Sequence, residues 1–289
     1  MARPPQMLLT VLWCVVMSTT TTVLALTFQA QLGTSVTPPL PTNWSVVLPS
    51  AGSWGGGSNL TYKVLAEYGT TGRVAVIGNP KSYFNVHCAG CESAQRCTGV
   101  LETVEVQAKI NGCRYATNGG PFSETTGSCV TPIITNGTVV NNESQGTFQC
   151  IGMFRNGSWV LGYVDPTLYP DVRELMCGFQ MLVVDGEAFT FKDPEIAPRT
   201  AYGIDEHGGL ITLVAEGSEV VYTGITLNQT AQWMLGLGAR YAIGMDGGGS
   251  STSYWTDNGG VQGCPTCIDQ PYCCLRSVTT IMCVLPDHD

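Results

Sequence analysis

The chain has 289 residues, 44% of them hydrophobic and 12% charged, enough apolar material for one substantial core and close to the upper size of a single domain. Its net charge of −9 sets 22 Asp plus Glu against only 13 Lys plus Arg. With no basic run to neutralise a row of phosphates, nucleic acid is excluded as an expected partner.

The N-terminus, Met1-Ala2-Arg3, leads into a nearly apolar stretch at 7–17 and then Val23-Leu24-Ala25, the layout of a signal peptide covering residues 1–25. A polar run at 18–22 interrupts the stretch well short of the roughly 20 apolar residues that a span needs. No stable membrane span is expected after cleavage. Beyond Cys14, cysteines stand at 88, 91, 97, 113, 129, 150, 177, 264, 267, 273, 274 and 283, an even set that reads as disulfides in an exported chain. Asn43, Asn59, Asn136, Asn142, Asn156 and Asn228 head Asn-X-Ser/Thr sequons. Both features predict a glycoprotein of the secretory route, lumenal or secreted.

Residues 26–70 are rich in Thr, Pro and Gly and read as an N-terminal extension, a pro-segment or a tail, ahead of a main domain at 71–289. Regular structure is expected to begin with a strand at 73–77. Val100, Leu101, Val104 and Ala108 recur at helical steps, predicting a helix over 99–110 that stops at Asn111-Gly112. A strand at 114–117 then runs into Asn118-Gly119-Gly120. Strands at 150–154 and 158–164, joined through Asn156-Gly157, and at 180–184 and 188–191, joined through Asp185-Gly186, carry hairpin signals. A further strand pair is expected at 209–215 and 219–222. Thr226 caps a helix with Leu227, Ala231, Met234 and Leu235 on one face, ended by Gly236 and Gly238. A buried strand at 241–245 empties into Asp246-Gly247-Gly248-Gly249-Ser250-Ser251, followed by strands at 251–255 and 278–285. The fold class expected is α+β: one compact, disulfide-stapled domain around a mixed sheet, with several hairpins and a few helices.

Three segments set glycines beside polar groups at strand ends, where a backbone without a Cβ can approach a ligand: 118–120, 198–203 and 246–251. Taken singly, each is also an ordinary tight turn in a chain with 35 glycines. The three histidines, His87, His207 and His288, and the lack of a Gly-X-Ser-X-Gly elbow argue against a serine triad. Cys88-X-X-Cys91 and Cys264-X-X-Cys267 have zinc-like spacing, but in an exported chain disulfides are favoured over zinc or a thiol nucleophile.

In order and context, the run from Cys113 through Asn118-Gly119-Gly120-Pro121-Phe122 to Cys129, the Arg199-Thr-Ala-Tyr-Gly203 element, the helix at 225–237, Met245-Asp-Gly-Gly-Gly-Ser-Ser-Thr252 and Arg276-Ser-Val-Thr-Thr-Ile-Met-Cys283 resemble the phosphodiester glycosidase family. The likeness runs from about residue 83 to 284, with Pro121 where that family commonly has an aromatic residue. It implies a hydrolase that cleaves a sugar-1-phosphate diester, removing N-acetylglucosamine from GlcNAc-1-phospho-6-mannose to expose mannose 6-phosphate on lysosomal glycoproteins, in the Golgi or lysosome or outside the cell. The implied partner is a phosphoglycan or glycoprotein substrate; nothing in the sequence sets an oligomeric state. Competing expectations are a hydrolase of another phosphodiester-linked glycan and a non-catalytic glycan-binding protein.

Because the departing phosphate monoester is a weak base, stabilising its charge becomes the main task. Arg199 and Arg276 are the expected guanidinium forks, with the N–H groups of Gly119, Gly120, Gly247, Gly248 and Gly249 around the phosphate oxygens. Asn118, Thr200 and Ser250 are expected to hydrogen-bond sugar or phosphate. Asp246 is the expected base or nucleophile, ahead of Asp205 and Glu124. No cofactor is expected; Asp246 with loop carbonyls has the donors for a hard cation such as calcium, although no dense carboxylate cluster demands one.

Overall fold

Strands joined by tight turns run antiparallel, because a parallel neighbour needs a crossover of a dozen or more residues, usually a helix. The computed structural model follows this rule. It describes residues 40–287 apart from 42, 55, 92–96, 98, 143–147, 264 and 269–272, so the expected signal peptide lies outside the described residues. Those described belong to one unit, Val36–Asp289.

Among them, two α-helices, Val104–Ile110 and Leu227–Gly236, accompany three sheets whose ladders are antiparallel, rather than the single mixed sheet expected. The seven-stranded sheet runs, edge to edge, Glu187–Ala188, Gln180–Val184, Ala239–Gly244, Arg199–Asp205, Leu210–Ala215, Thr70–Ile77 and Leu60–Glu67. The five-stranded sheet orders Gly260–Val261, Ser253–Trp255, Tyr115–Asn118, Thr280–Val284 and Phe84–Cys88. The six-stranded sheet orders Ser45–Leu48, Trp159–Gly162, Gln149–Phe154, Val172–Gly178, Ile133–Thr135 and Thr138–Asn141.

Side chains alternate faces along a strand, and the seven-stranded sheet uses both. Ala75, Tyr202, Leu210 and Ile243 join Tyr115 and Met282 of the five-stranded sheet and Ile151, Trp159 and Met176 of the six-stranded sheet in one core. Their neighbours Val74, Ala201, Leu213 and Ala242 face the other way and meet Ala231, Trp233 and Met234 of the second helix. That helix starts where expected, with a capping box in which Thr226 and Gln229 satisfy each other's backbone N–H groups, and it ends before Gly238 at φ +94°. The first helix begins at Val104, not 99, because the Thr103 hydroxyl takes the N–H of Val106 and fixes the cap there.

Two further expectations are corrected. Residues 26–70 are not one uniform lead-in, since Ser45–Leu48 pairs with Trp159–Gly162 and Leu60–Glu67 pairs with Thr70–Ile77 along its whole length. Residues 219–222 are a turn closed by the Ser218–Thr223 bridge, because the Ser218 hydroxyl accepts the N–H groups of Val220 and Val221 that a strand would spend on a neighbour. The partners of Leu210–Ala215 are instead Arg199–Asp205 and Thr70–Ile77.

Disulfides join Cys88 to Cys91, Cys97 to Cys129, Cys113 to Cys283, Cys150 to Cys177 and Cys267 to Cys274, and Cys273 is also oxidised. The close groups of metal-ligand type among the described residues draw on these cysteines, so they offer no thiolates to zinc. Five sequon asparagines, Asn43, Asn59, Asn136, Asn142 and Asn156, are exposed, whereas the Asn228 amide is half-buried and bonded to both backbone groups of Phe191.

Glu174 lies in the core with its carboxyl accepting from the N–H groups of Val86 (3.0 Å) and Asn136 (3.2 Å). Burial pushes it up to about 7, against those hydrogen bonds and the Arg173 charge. A raised carboxyl pKa stabilises the fold at low pH and loses that contribution as pH rises through the folded value. Denaturant titrations of the native protein and Glu174→Gln should therefore diverge, moving about 3 kcal/mol in the variant's favour between pH 4.5 and 8.

Candidate active site

Because Ala239–Gly244 runs antiparallel to Arg199–Asp205, its C-terminal end lies beside the start of that strand, with Gly244 opposite Ala201. The exit is knotted on both sides. Met245 N–H donates to Thr200 O (2.9 Å), Asp246 N–H to Gly119 O (3.1 Å) and Gly248 N–H to Pro198 O (2.9 Å). The three glycine-bearing segments singled out in the sequence thus meet at one point.

Asn118 is the knot's centre, and it is fully buried. Its Nδ2 donates to Asp246 O (2.7 Å), while its Oδ1 accepts from the Thr200 hydroxyl (2.8 Å) and Thr252 N–H (3.2 Å). Its carbonyl accepts from the Tyr202 hydroxyl (2.6 Å), which also meets Thr117 Oγ1 (2.7 Å). Asn118 and Thr200, expected to hydrogen-bond sugar or phosphate, hold the main chain around Asp246, and Thr200 also lines a cleft beside Arg199. Tyr202 belongs to the same network and was not singled out beforehand.

The expected open ring of backbone donors is also corrected. Gly119 N–H is spent on Thr280 O (2.8 Å) and Gly120 N–H on the Thr280 hydroxyl (3.3 Å). Gly248 N–H bonds the Pro198 carbonyl and Gly249 N–H the Glu219 carboxylate (2.7 Å). Ser250, buried, hydrogen-bonds the Asp246 side chain. Close packing explains the glycines: a Cβ at Gly120 would collide with the Cys177 carbonyl oxygen, and one at Gly249 would lie 2.6 Å from Arg276 Cζ.

Asp246 is half-buried, and burial pushes its carboxyl up to about 6. Hydrogen bonds from Ser250 and Gly247 and the Arg276 charge work against that rise, and Glu124 adds to it. Arg276 sits among carboxylates. Its Nη2 is 2.9 Å from Glu219 Oε2 and its Nη1 3.8 Å from Glu124 Oε1. Glu219 also accepts from Ile268 N–H at 3.3 Å. It was missed in the sequence because a turn glutamate 57 residues from its arginine carries no local pattern.

Arg199 and Arg276 stand beside different residues of the glycine loop. Arg199 flanks Gly247, bonded to Glu195 Oε2 (2.8 Å) and the carbonyl of Ile225 (3.3 Å), and lines a cleft of about 250 Å³ with Asp193, Glu195, Thr200 and Thr230. Arg276 flanks Gly249. Asp205 stands at the far end of its strand, its Oδ1 accepting from the N–H groups of His207 and Gly209 (both 2.8 Å), so it caps a turn.

A family model described as phosphodiester glycosidase matches residues 111–285, a span holding Asn118, Glu124, Arg199, Glu219, Asp246 and Arg276. The chain belongs to the phosphodiester glycosidase family. Its relatives include the bovine N-acetylglucosamine-1-phosphodiester alpha-N-acetylglucosaminidase, 30% identical over 219 residues that cover 68% of this chain and 40% of that one. The human counterpart is 28% identical over 219 residues, covering 68% and 41% respectively. The chain thus spans less than half the length of these relatives. The solved catalytic domain of the zebrafish enzyme of that name, auto-inhibited by its pro-peptide, superposes with a TM-score of 0.69 at 23% identity, over 83% of this chain and 88% of that one. A hypothetical protein from Synechocystis shares the fold at a TM-score of 0.58 and 12% identity, over 78% and 62%. In this phosphodiester glycosidase, the strands at Ser45–Leu48, Leu60–Glu67 and Thr70–Ile77 precede the matched span yet complete two of the three sheets.

Proposed function

We propose that this chain hydrolyses a sugar-1-phosphate diester, releasing N-acetylglucosamine from GlcNAc-1-phospho-6-mannose and exposing mannose 6-phosphate on glycoproteins within the secretory route or outside the cell. The observation that carries this reading is the convergence, inside the family span, of three glycine-bearing segments on Asp246, whose main chain is tied to Asn118 and Gly119 and whose loop has Arg276 beside Gly249.

Arg276 is the cation for the phosphate. Its attraction is strengthened by the low dielectric that raises Asp246, and a charge placed in advance costs no reorganisation when the leaving monoester develops its own. The cleft beside Arg199, about 250 Å³, has the scale for one sugar ring. Asp246 serves as base or nucleophile, its carbonyl and N–H fixed by Asn118 and Gly119 so that the carboxyl has little freedom to turn away. The acetamido group of an α-linked gluco sugar lies on the same face as the leaving phosphate, which leaves attack from the opposite face to Asp246 or to water. The reaction as proposed draws on the chain's own side chains.

A required Asp246 anion gives kcat/KM an acidic limb with a midpoint near 6, since the diester itself does not titrate there. A pH–rate profile without that limb would remove Asp246 from the role. Hydrolysis in oxygen-18 water, over a panel of sugar-1-phosphate diesters, tests the reaction itself. Label in the sugar means C–O cleavage and a glycosidase, label in the phosphate means P–O cleavage, and turnover only of a different diester replaces GlcNAc-1-phospho-6-mannose as substrate.

A further inference from the structure

The donors around Glu219 form an anion cradle that the chain fills itself. Gly249 N–H, Ile268 N–H and both terminal nitrogens of Arg276 converge on one carboxylate, at 2.7, 3.3, 3.3 and 2.9 Å. These are donor types that bind phosphate oxygens. The carboxylate is held in place, because its turn is closed by reciprocal Ser218–Thr223 bonds (3.0 and 3.1 Å) and tied to Thr266 O by Glu219 N–H (2.8 Å). Its side chain is only 19% exposed, so water screens its charge poorly. Glu124 stands 3.8 Å from the same guanidinium, and Arg199 is already paired with Glu195.

Resting on the reading of Arg276 as the phosphate's cation, we propose that Glu219 is a specificity-determining residue that admits a singly charged phosphodiester and disfavours a doubly charged phosphate monoester. Coulomb repulsion from a fixed carboxylate scales with the ligand's charge, so each added negative charge multiplies the penalty. In the cleavage, water adds across the sugar–phosphate link, giving a free sugar and a monoester that loses its second proton near pH 6. Product therefore carries more charge than substrate, and Glu219 favours its departure while leaving the diester's hold on Arg276 largely intact.

Mannose 6-phosphate and its methyl diester differ by one methyl group and one charge, and neither contains the scissile bond. Calorimetric titration of both at pH 7.5 into the native protein, Glu219→Gln and Glu219→Asp reads the effect without turnover, with thermal denaturation reporting the fold separately. Neutralising Glu219 should tighten the diester about threefold and the monoester about tenfold, since the logarithm of the gain doubles with charge, while Glu219→Asp stays near native. Equal changes for the two ligands, or weaker binding of both, would overturn the proposal and make Glu219 a support for Arg276. Silence from both ligands with every protein would instead overturn the phosphate reading of Arg276, and this inference with it.

Discussion

Asp246→Asn should lower kcat for diester hydrolysis about 10³-fold or more, while the protein still folds and melts cooperatively. The substitution preserves shape and one acceptor for the Ser250 and Gly247 donors but removes the charge that serves as base or nucleophile. The anchors of this position act on the main chain, through Asn118 Nδ2 and Gly119 O, and survive the change. The acidic limb of the rate profile should vanish with the activity. Steady-state kinetics beside a thermal melt separates this outcome from unfolding, and activity within tenfold of native would move the reacting carboxylate elsewhere, with Glu124 next in line through its place beside Arg276.

Arg276→Ala should cut kcat/KM by about 10²- to 10³-fold, the loss typical of one preorganised donor to developing charge. Arg199→Ala should cost far less. The difference follows from the charge each exerts, because Arg276 acts on the Asp246 carboxyl, whereas Arg199 is held beside Gly247 by Glu195 and the Ile225 carbonyl. Arg276→Ala also leaves Glu219 with only backbone donors, so its melting temperature should fall. A reversed ranking of the two variants would place the phosphate in the Arg199 cleft.

Local chemistry made much of this legible from sequence. The helix cap at Thr226, the Asn156-Gly157 and Asp185-Gly186 turns, and the three glycine-bearing segments that converge at Asp246 are short-range patterns with local causes. What stayed hidden was set at long range. Strands such as Val172–Gly178, paired with Gln149–Phe154 and Ile133–Thr135, gain their place from neighbours distant in the chain, and register cannot be read from one strand alone. Glycine-rich loops announce close approach but not what approaches. At Gly120 it is the Cys177 carbonyl and at Gly249 the Cys267 sulfur and Arg276, so glycines expected to cradle a ligand make room for the protein itself. The pairing of Glu219 with Arg276 is likewise a product of topology, with no spacing rule to reveal it.

The most direct test of the central claim is release of free N-acetylglucosamine from GlcNAc-1-phospho-6-mannose by the purified protein, run beside a simple N-acetylglucosamine glycoside that lacks the phosphate. Release from the phosphodiester, with the plain glycoside untouched, is the result predicted from Arg276 as the phosphate's cation. No release from any sugar-1-phosphate diester by folded protein, or equal cleavage of the plain glycoside, would contradict it.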